Sequence, residues 1–343
     1  MAKKITIKDI AKEAGVSVAT VSNVLNEKTF VNAEMAEKVK KVISKYNFRS
    51  NISASVLRKK ASKLIGIIIP DSSNLVFSQI GKEIEIDLSD YNYNVVICNS
   101  NYSEKKEMNY IDVLLSRNID GLIIVPSTEH ISIFKNIKNE NMPIVVIDRL
   151  VEGLKADFVM SNNYNVLIEV IDYLAGLGHK KIAYINREVS LYHSIKRFEG
   201  FRDGLKKNSL NLYQELVTGD GGLSFEDGYL EMQKFIKMKS SKRPTAVIAF
   251  NDIVAIGAIR AIKDNKYKVP RDFSIVGFDN IFFDEFIETR LTSVTANKKE
   301  MADLSVKLLL ERINGDVSEP KWALNHRRLV IRESTAVPPD SNE

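Results

Sequence analysis

At 343 residues and 44% hydrophobic content the chain can bury more than one core, and its length points to two or three domains. No run approaches the roughly 20 apolar residues that span a bilayer, and Met1-Ala2-Lys3-Lys4 precedes no apolar stretch long enough for export, which argues against membrane and exported proteins. The net charge of +5 is uneven: up to Lys63 there are 14 Lys and Arg against 5 Asp and Glu, a local +9, while the remainder carries −4, so only the amino-terminal end suits phosphate neutralisation.

The first predicted element is a helix, because Ile7, Ile10, Ala11 and Ala14 recur at helical spacing on one face. Gly15 permits the left-handed backbone that other residues resist and ends this helix in a tight turn. Ser17 stands where its hydroxyl can cap a second helix, whose buried stripe is Val21, Val24 and Leu25. Small Ala11 before the glycine and Val21 after it suit the steep crossing of a helix-turn-helix. A third stripe, Val39, Val42, Ile43 and Tyr46, covers the open side of the pair. The alternative is a small helical bundle with no role on DNA. The local basic charge favours DNA.

After Lys63 the pattern changes to alternating strands and helices. Apolar runs at Leu64 to Ile69, Val95 to Ile97, Leu122 to Val125 and Ile144 to Ile147 are separated by helical segments such as Ile80 to Tyr91 and Glu104 to Arg117. That alternation predicts a buried parallel sheet. The single cysteine, Cys98, reads as a small buried hydrophobe at a strand end; it excludes an internal disulfide and a cysteine-rich metal site, and fits a reducing cytoplasm. A second series follows at Ile182 to Ile185, Ala246 to Ala249 and Phe273 to Val276, so the body reads as two doubly wound lobes. Ligands of open α/β sheets bind beyond the carboxyl ends of the strands. Here those ends carry Pro70-Asp71, Pro126-Ser127, Asp148-Arg149, Asn251-Asp252 and Asp279-Asn280. Any one of these can simply cap a helix or make a turn. Their recurrence points to a polar cleft for a small polyhydroxylated or anionic molecule.

Several of these segments carry a family resemblance. Thr6 to Ala11, Ala14-Gly15-Val16-Ser17, Thr20 to Asn26, Ala54 to Leu57, Gly178-His179, Arg197 with Gly200-Phe201, Asn251-Asp252, Val276-Gly277-Phe278-Asp279 and Arg332-Glu333-Ser334 together resemble the LacI/GalR family of bacterial transcription regulators. The amino-terminal motif is highly specific, while the body is also similar to periplasmic sugar-binding proteins. The resemblance implies an α/β chain with an all-α helix-turn-helix headpiece and hinge helix, followed by a two-lobed, periplasmic-binding-protein-like doubly wound body. The implied domains are 1–50 for DNA binding, 51–63 for the hinge, and 64–343 for effector binding and dimerisation. Within the body, one lobe is expected over about 64–160 plus 291–322 and the other over about 161–290 plus 323–337, with crossings near 161, 290 and 323.

The resemblance also implies roles for individual residues. Val18, Ala19 and Asn23 are expected to read bases, and Thr6, Ser17, Thr20, Ser22 and Asn26 to meet phosphates. Asn23 departs from a common arginine and pairs best with adenine, whereas Val18 and Ala19 offer only apolar contact, as to a thymine methyl. Val18, three residues before Val21, is equally open to a core role. Asn51, Ala54 and Leu57 match the minor-groove hinge, with Leu57 as a wedge that kinks the duplex; an unstructured linker is the alternative. Ser50 stands where many relatives carry proline. Phe77, Asp148, Arg149, Asn162, Arg197, Asn251 and Asp279 are the expected effector contacts. Leu75, Val76 and Leu223 depart from the family's usual pattern, Leu223 replacing an aromatic that stacks on ligands. With Arg149 and Arg197 available, a sugar acid or phosphosugar joins the plain sugars as an expected effector.

The expected function is therefore a cytoplasmic repressor of a carbohydrate-utilisation operon. It would bind a pseudo-palindromic operator as a homodimer, under allosteric control by a carbohydrate-derived effector. Pro338-Pro339 with no leucine heptad beyond predicts a dimer without a tetramerising tail. A global catabolite regulator controlled by a phosphorylated partner protein is the alternative, and a solute-binding transport protein a further one. No enzyme, cofactor, metal or membrane role is expected: there is no Gly-x-Gly-x-x-Gly after the first strands and no nucleophile elbow. The four histidines lack ligand spacing. Among them His179 reads as a loop residue, and His193 as facing either the cleft or the surface.

Overall fold

The computed structural model describes residues 5–25, 31–46, 48, 62–137, 142–186, 191–218 and 222–339. The chain divides into two units, Met1–Ser62 and Lys63–Glu343.

In the first unit, helix α1 (Ile7–Ala14) starts at a reciprocal cap, Thr6 accepting from Asp9 N at 3.4 Å and Asp9 accepting from Thr6 N at 2.8 Å. It ends at Gly15, whose φ of 67° is the expected left-handed turn. Ser17 Oγ accepts Thr20 N at 3.1 Å and caps α2 (Val18–Leu25), while Asn32 caps α3 (Ala33–Lys45). Ile10, Ala11, Val21, Val24 and Val39 form the buried centre, with Val42 and Ile43 partly buried against it. Tyr46 does not join them. It follows the last turn of α3, 37% exposed, with the Lys45 ammonium 5.0 Å from its ring centroid, and Phe48 packs on the core instead. A helix stripe cannot be extrapolated past the residue where the helix stops. Asn26 and the hinge residues Asn51, Ala54 and Leu57 lie outside the described residues.

The second unit contains, among the described residues, two six-stranded sheets. The first has the order β2 (Asn94–Asn99), β1 (Leu64–Ile69), β3 (Gly121–Ile124), β4 (Ile144–Ile147), β5 (Asp157–Ser161) and β11 (Trp322–Asn325), all parallel. The second runs β7 (Val217–Thr218), β6 (Ile182–Ile185), β8 (Ala246–Ala249), β9 (Ser274–Asp279), β10 (Thr292–Thr295) and β12 (Leu329–Val330), of which β12 is antiparallel. Each opens in the doubly wound order 2-1-3-4-5. Helices cover both faces, which explains the continuous apolar runs. Thus Ile65, Ile67 and Ile69 meet α4 (Leu75–Ser89) and α10 (Lys298–Ile313), and Ile68 meets the side bearing α5 (Glu104–Ser116). In the second sheet Ala183 and Ile185 face α8 (Phe225–Ile236) and α9 (Asp252–Asp264), while Ile182 and Tyr184 face α6 (Asn163–Gly176) and α7 (Tyr192–Lys207). Cys98 is buried on β2, and burial pushes its thiol pKa up.

The chain passes between the sheets near 161–162, 296–297 and 326–328. The latter two crossings fall later than 290 and 323, because Thr292–Thr295 pairs with β9 in the second sheet and Trp322–Asn325 with β5 in the first. A short apolar strand carries no mark of which sheet it will join. His179 lies in a loop, as expected, but a buried one: its ring bonds Thr245 Oγ1 at 2.8 Å, Ser274 Oγ at 3.1 Å and the Ala336 carbonyl at 3.0 Å. It thereby ties the carboxyl-terminal segment to the second lobe, and burial lowers its pKa.

Candidate nucleic-acid interface and ligand cleft

Helix α2 contains no charged residue. Val21, Val24 and Leu25 turn toward the headpiece core, so helical geometry places Ala19, Ser22 and Asn23 on the opposite side. Ala19 is exposed, and Ser22 and Asn23 are half-buried. Val18 is half-buried and packs against the core, the packing role that was left open for it beside base contact. Thr6 and Ser17 are exposed at the starts of their helices, each already engaged in capping, and Thr20 is half-buried beside Ser17 at 2.9 Å. Helix starts direct unpaired backbone N–H groups outward, which is a phosphate-compatible arrangement.

In the body, the carboxyl ends of the two sheets meet in a cleft of about 60 Å³. Phe77, Asp148, Arg149, Arg197, Asn251 and Asp279 line it, six of the seven expected effector residues. Asn162 does not. Its amide accepts Arg327 N at 2.7 Å and donates to Arg327 O at 3.2 Å, stitching the first crossing to the third. The family resemblance implied an effector contact at Asn162, but its side-chain atoms are taken up by backbone.

The cleft holds its charges through specific contacts. Arg197, buried on α7, donates to Asn163 Oδ1 at 3.2 Å and Phe250 O at 3.0 Å, and its guanidinium lies 3.6 Å from the Phe278 ring centroid. Burial, reinforced by the neighbouring Arg327 charge, lowers its pKa to about 10, so it stays cationic at neutral pH. Arg149 donates to Asp148 O at 2.8 Å. Asn251 Oδ1 accepts Val254 N at 2.8 Å, capping α9 as the turn reading allowed while still lining the cleft. Left-handed backbone occurs at three residues here: φ is 51° at Asp148, 109° at Asp279 and 49° at Asn280. Non-glycine residues hold such angles only where surrounding structure imposes them.

Arg327 is the main residue that sequence reasoning missed. It is 5% exposed and lines the cleft from the third crossing. It donates from Nη2 to Asp148 Oδ2 at 2.9 Å in the first lobe, and its Nη1 lies 3.6 Å from Asp279 Oδ1 in the second. The one available signal was alternation, since Arg327 is two residues from Leu329, which packs on the second core. His193 also lines the cleft, which settles its two expected positions in favour of the cleft. Further contacts join the lobes. Glu129 Oε1 accepts both Leu150 N at 3.2 Å and Tyr192 N at 3.0 Å, and Lys298 Nζ donates to the carbonyls of Asp279 and Asn280 at 3.0 Å each.

Behind the cleft lies a buried acid pair. Asp252 accepts Ser293 Oγ at 2.6 Å and Ile281 N at 2.9 Å. Its burial, with the charges of Asp284 and Asp279, holds its pKa well above the usual carboxylate range. Burial pushes the Asp284 carboxyl up to about 7. Gly277 makes room for this arrangement, because a Cβ there would lie 2.1 Å from Asp252 Oδ1. Among the described residues no group of His, Cys, Asp and Glu is arranged to hold a metal ion, and no helix is long and apolar enough to cross a membrane.

Comparison with known proteins places both halves. The family model described as bacterial regulatory proteins, lacI family, matches residues 6–51, and that of a periplasmic binding protein-like domain matches residues 171–335. The HTH-type transcriptional repressor PurR of Mannheimia succiniciproducens is 31% identical over 330 residues, covering 96% of this chain and 98% of that protein. The regulator RegA of Clostridium saccharobutylicum is 31% identical over 332 residues, covering 96% and 99%. Among solved structures, the Lac repressor dimer bound to operator and the anti-inducer ONPF superposes with a TM-score of 0.84 at 25% identity, covering 97% of this chain and all of that one. A LacI family regulator from Enterococcus faecium with bound ribose gives a TM-score of 0.72 at 28% identity, covering 80% and 99%.

Proposed function

Since the chain belongs to the lacI family of bacterial regulatory proteins and is a DNA-binding transcriptional repressor, we propose that it represses a carbohydrate-utilisation operon in the cytoplasm. It binds a pseudo-palindromic operator as a homodimer, and a carbohydrate-derived effector in the cleft controls it. The observation that carries this reading is the convergence of six expected effector residues from both sheets on one cleft. A ligand touching both lobes favours one lobe arrangement over another, and only such a difference in affinity can shift the DNA-binding equilibrium. The Enterococcus faecium regulator with bound ribose supports the carbohydrate class.

A second copy of the chain is the proposed partner of two apolar surfaces. Phe282, Phe283 and Phe286 are 54%, 44% and 75% exposed and cluster with ring centroids 4.4 and 5.4 Å apart. The edge strand β2 leaves Val96 and Ile97 exposed as well. Exposed apolar patches of this kind are covered in assemblies, and the Lac repressor is described as a dimer on its operator. The test is footprinting on candidate operators at fixed salt, with and without neutral and acidic sugars. We expect two protected half-sites related by two-fold symmetry, and protection that changes with one sugar class. Protection of a single half-site, or indifference to every sugar, would refute the dimeric or the carbohydrate part respectively.

A further inference from the structure

We infer that Arg327 is a built-in occupant of the cleft: its guanidinium stands where a ligand must go and holds the lobes together across Asp148 and Asp279 until a hydroxylated ligand displaces it. This rests on the cleft being the effector site. As the lobes stand, the cleft has room for about 60 Å³, against the roughly 300–1,000 Å³ of small-molecule sites. A sugar does not fit beside the side chains present, so part of the lining must move before one binds.

Hydrogen bonding points to the part that moves. Arg197 is held at Asn163 Oδ1, at Phe250 O and over the Phe278 ring, and Asn251 is held as the cap of α9. Arg327 is fixed at its backbone, where the Asn162 amide engages both N and O. Its guanidinium makes one hydrogen bond among the described residues, from Nη2 to Asp148 Oδ2 at 2.9 Å, while Nε and Nη1 are buried with none. Buried donors left unmet destabilise an arrangement, so this side chain is anchored at its root and weakly held at its tip. A ligand hydroxyl donates to Asp148 as the guanidinium does now, and so replaces it there without loss of that bond.

The charges connect that displacement to the lobes. Asp148 follows β4 in the first lobe, and Asp279 ends β9 in the second. Burial raises the pKa of Asp279; Arg197, Arg327 and Lys298 oppose the rise and Asp148 adds to it, so the two carboxylates repel each other across the gap. The Arg327 guanidinium stands between them, at 2.9 Å from one and 3.6 Å from the other. Swinging it out leaves their repulsion less compensated and also removes its own repulsion of Arg197, whose pKa is lowered first by burial and then by the Arg327 charge. One side chain thereby couples ligand entry to lobe arrangement.

The test compares the full chain with Arg327→Gln and Arg327→Lys by hydrogen-exchange mass spectrometry in buffer alone. Tyr192 N, the first amide of α7, is bonded across the lobes to Glu129 Oε1 at 3.0 Å and so reports their separation. In Arg327→Gln we expect exchange at Tyr192 to rise about tenfold or more, with the amides of β3 and β8 unchanged. An ammonium lacks the planar fork that faces two carboxylates, so Arg327→Lys should fall between. Wild-type exchange at Tyr192 in the Gln variant, or equal acceleration in β3 and β8, overturns the inference; if that variant does not fold, wild-type exchange in the Lys variant does so. Displacement is read by calorimetry with ribose, glucose and gluconate. Any of these that binds should bind Arg327→Gln at least about threefold more tightly than wild type, because the wild type must first free its cleft. Equal binding makes Arg327 a scaffold and weaker binding makes it a ligand contact, and either overturns the inference. Binding that survives Asp148→Asn/Asp279→Asn lies elsewhere, and the cleft reading itself then fails. A panel that binds neither protein counts against the carbohydrate class alone, and the exchange at Tyr192 still decides the role of Arg327.

Discussion

The headpiece and the cleft are assembled at opposite ranges of the chain. The headpiece core draws on helices that follow one another directly, from Ile10 to Val39, and its reading face is set by the turn at Gly15. The cleft joins residues from distant segments; Arg327 meets Asp148 across 179 positions. The difference teaches that a local surface depends on a few packed residues, whereas a cleft depends on where the chain crosses between lobes.

The largest effect should come from breaking the local side. Val21 is fully buried in a five-residue centre, so Val21→Asp places a charge there at a cost above about 4 kcal/mol, more than a small helical unit readily tolerates. Operator binding, followed by fluorescence anisotropy, should disappear while ligand still raises the melting temperature of the body. Joint loss of both activities would show that the two regions do not fold independently.

A pH titration separates the regions by sign. Burial raises the pKa of Asp284, so its stabilising contribution is complete below the unfolded carboxylate range and is lost as pH rises through about 7. Glu13, exposed and bonded to Lys45, has a lowered pKa; its contribution is present above that range and lost as pH falls. With Asp284→Asn as the reference, so that the opposite contribution of His179 cancels, calorimetry from pH 5 to 8 should therefore find an Asp284-dependent fall in the body's transition and none in the headpiece's. The groups facing Asp284 electrostatically, Asp252, Asp279, Arg332 and Lys298, remain in place in Asp284→Asn. That variant should flatten the body's slope and gain on the order of 1–3 kcal/mol at the alkaline end. An unchanged slope would assign it to other groups.

The smallest effect sharpens the local reading. Asn23→Arg should move the preferred base from adenine toward guanine by about 1–3 kcal/mol of discrimination, with ligand binding in the body unaltered. Selection from a randomised half-site measures this, and an unchanged preference would remove Asn23 from base readout.

Much of the architecture was legible because periodicity is local. The helix stripes, the glycine turn and the strands of both sheet centres all follow from residue spacing. Two edges were not: Trp322–Asn325 and Leu329–Val330 are short, and no pattern says which sheet each joins; the internal strand Asp157–Ser161 was also missed. The helix expected from Ile80 starts earlier, at Leu75, because Asn74 caps it. At the site, polar residues after strand ends marked six lining positions. Asn162 was expected at the cleft and Arg327 was not foreseen, since a side chain beside a crossing can face either backbone or cavity.

By itself the sequence determined a basic helix-turn-helix ahead of two parallel α/β lobes, since turn chemistry and hydrophobic period act between near neighbours. Only the tertiary structure decided that β10 stays with the second lobe and that Arg327 stands between Asp148 and Asp279. Those outcomes depend on which distant backbones pair and which charges are buried together, and neither is written in the spacing of residues along the chain.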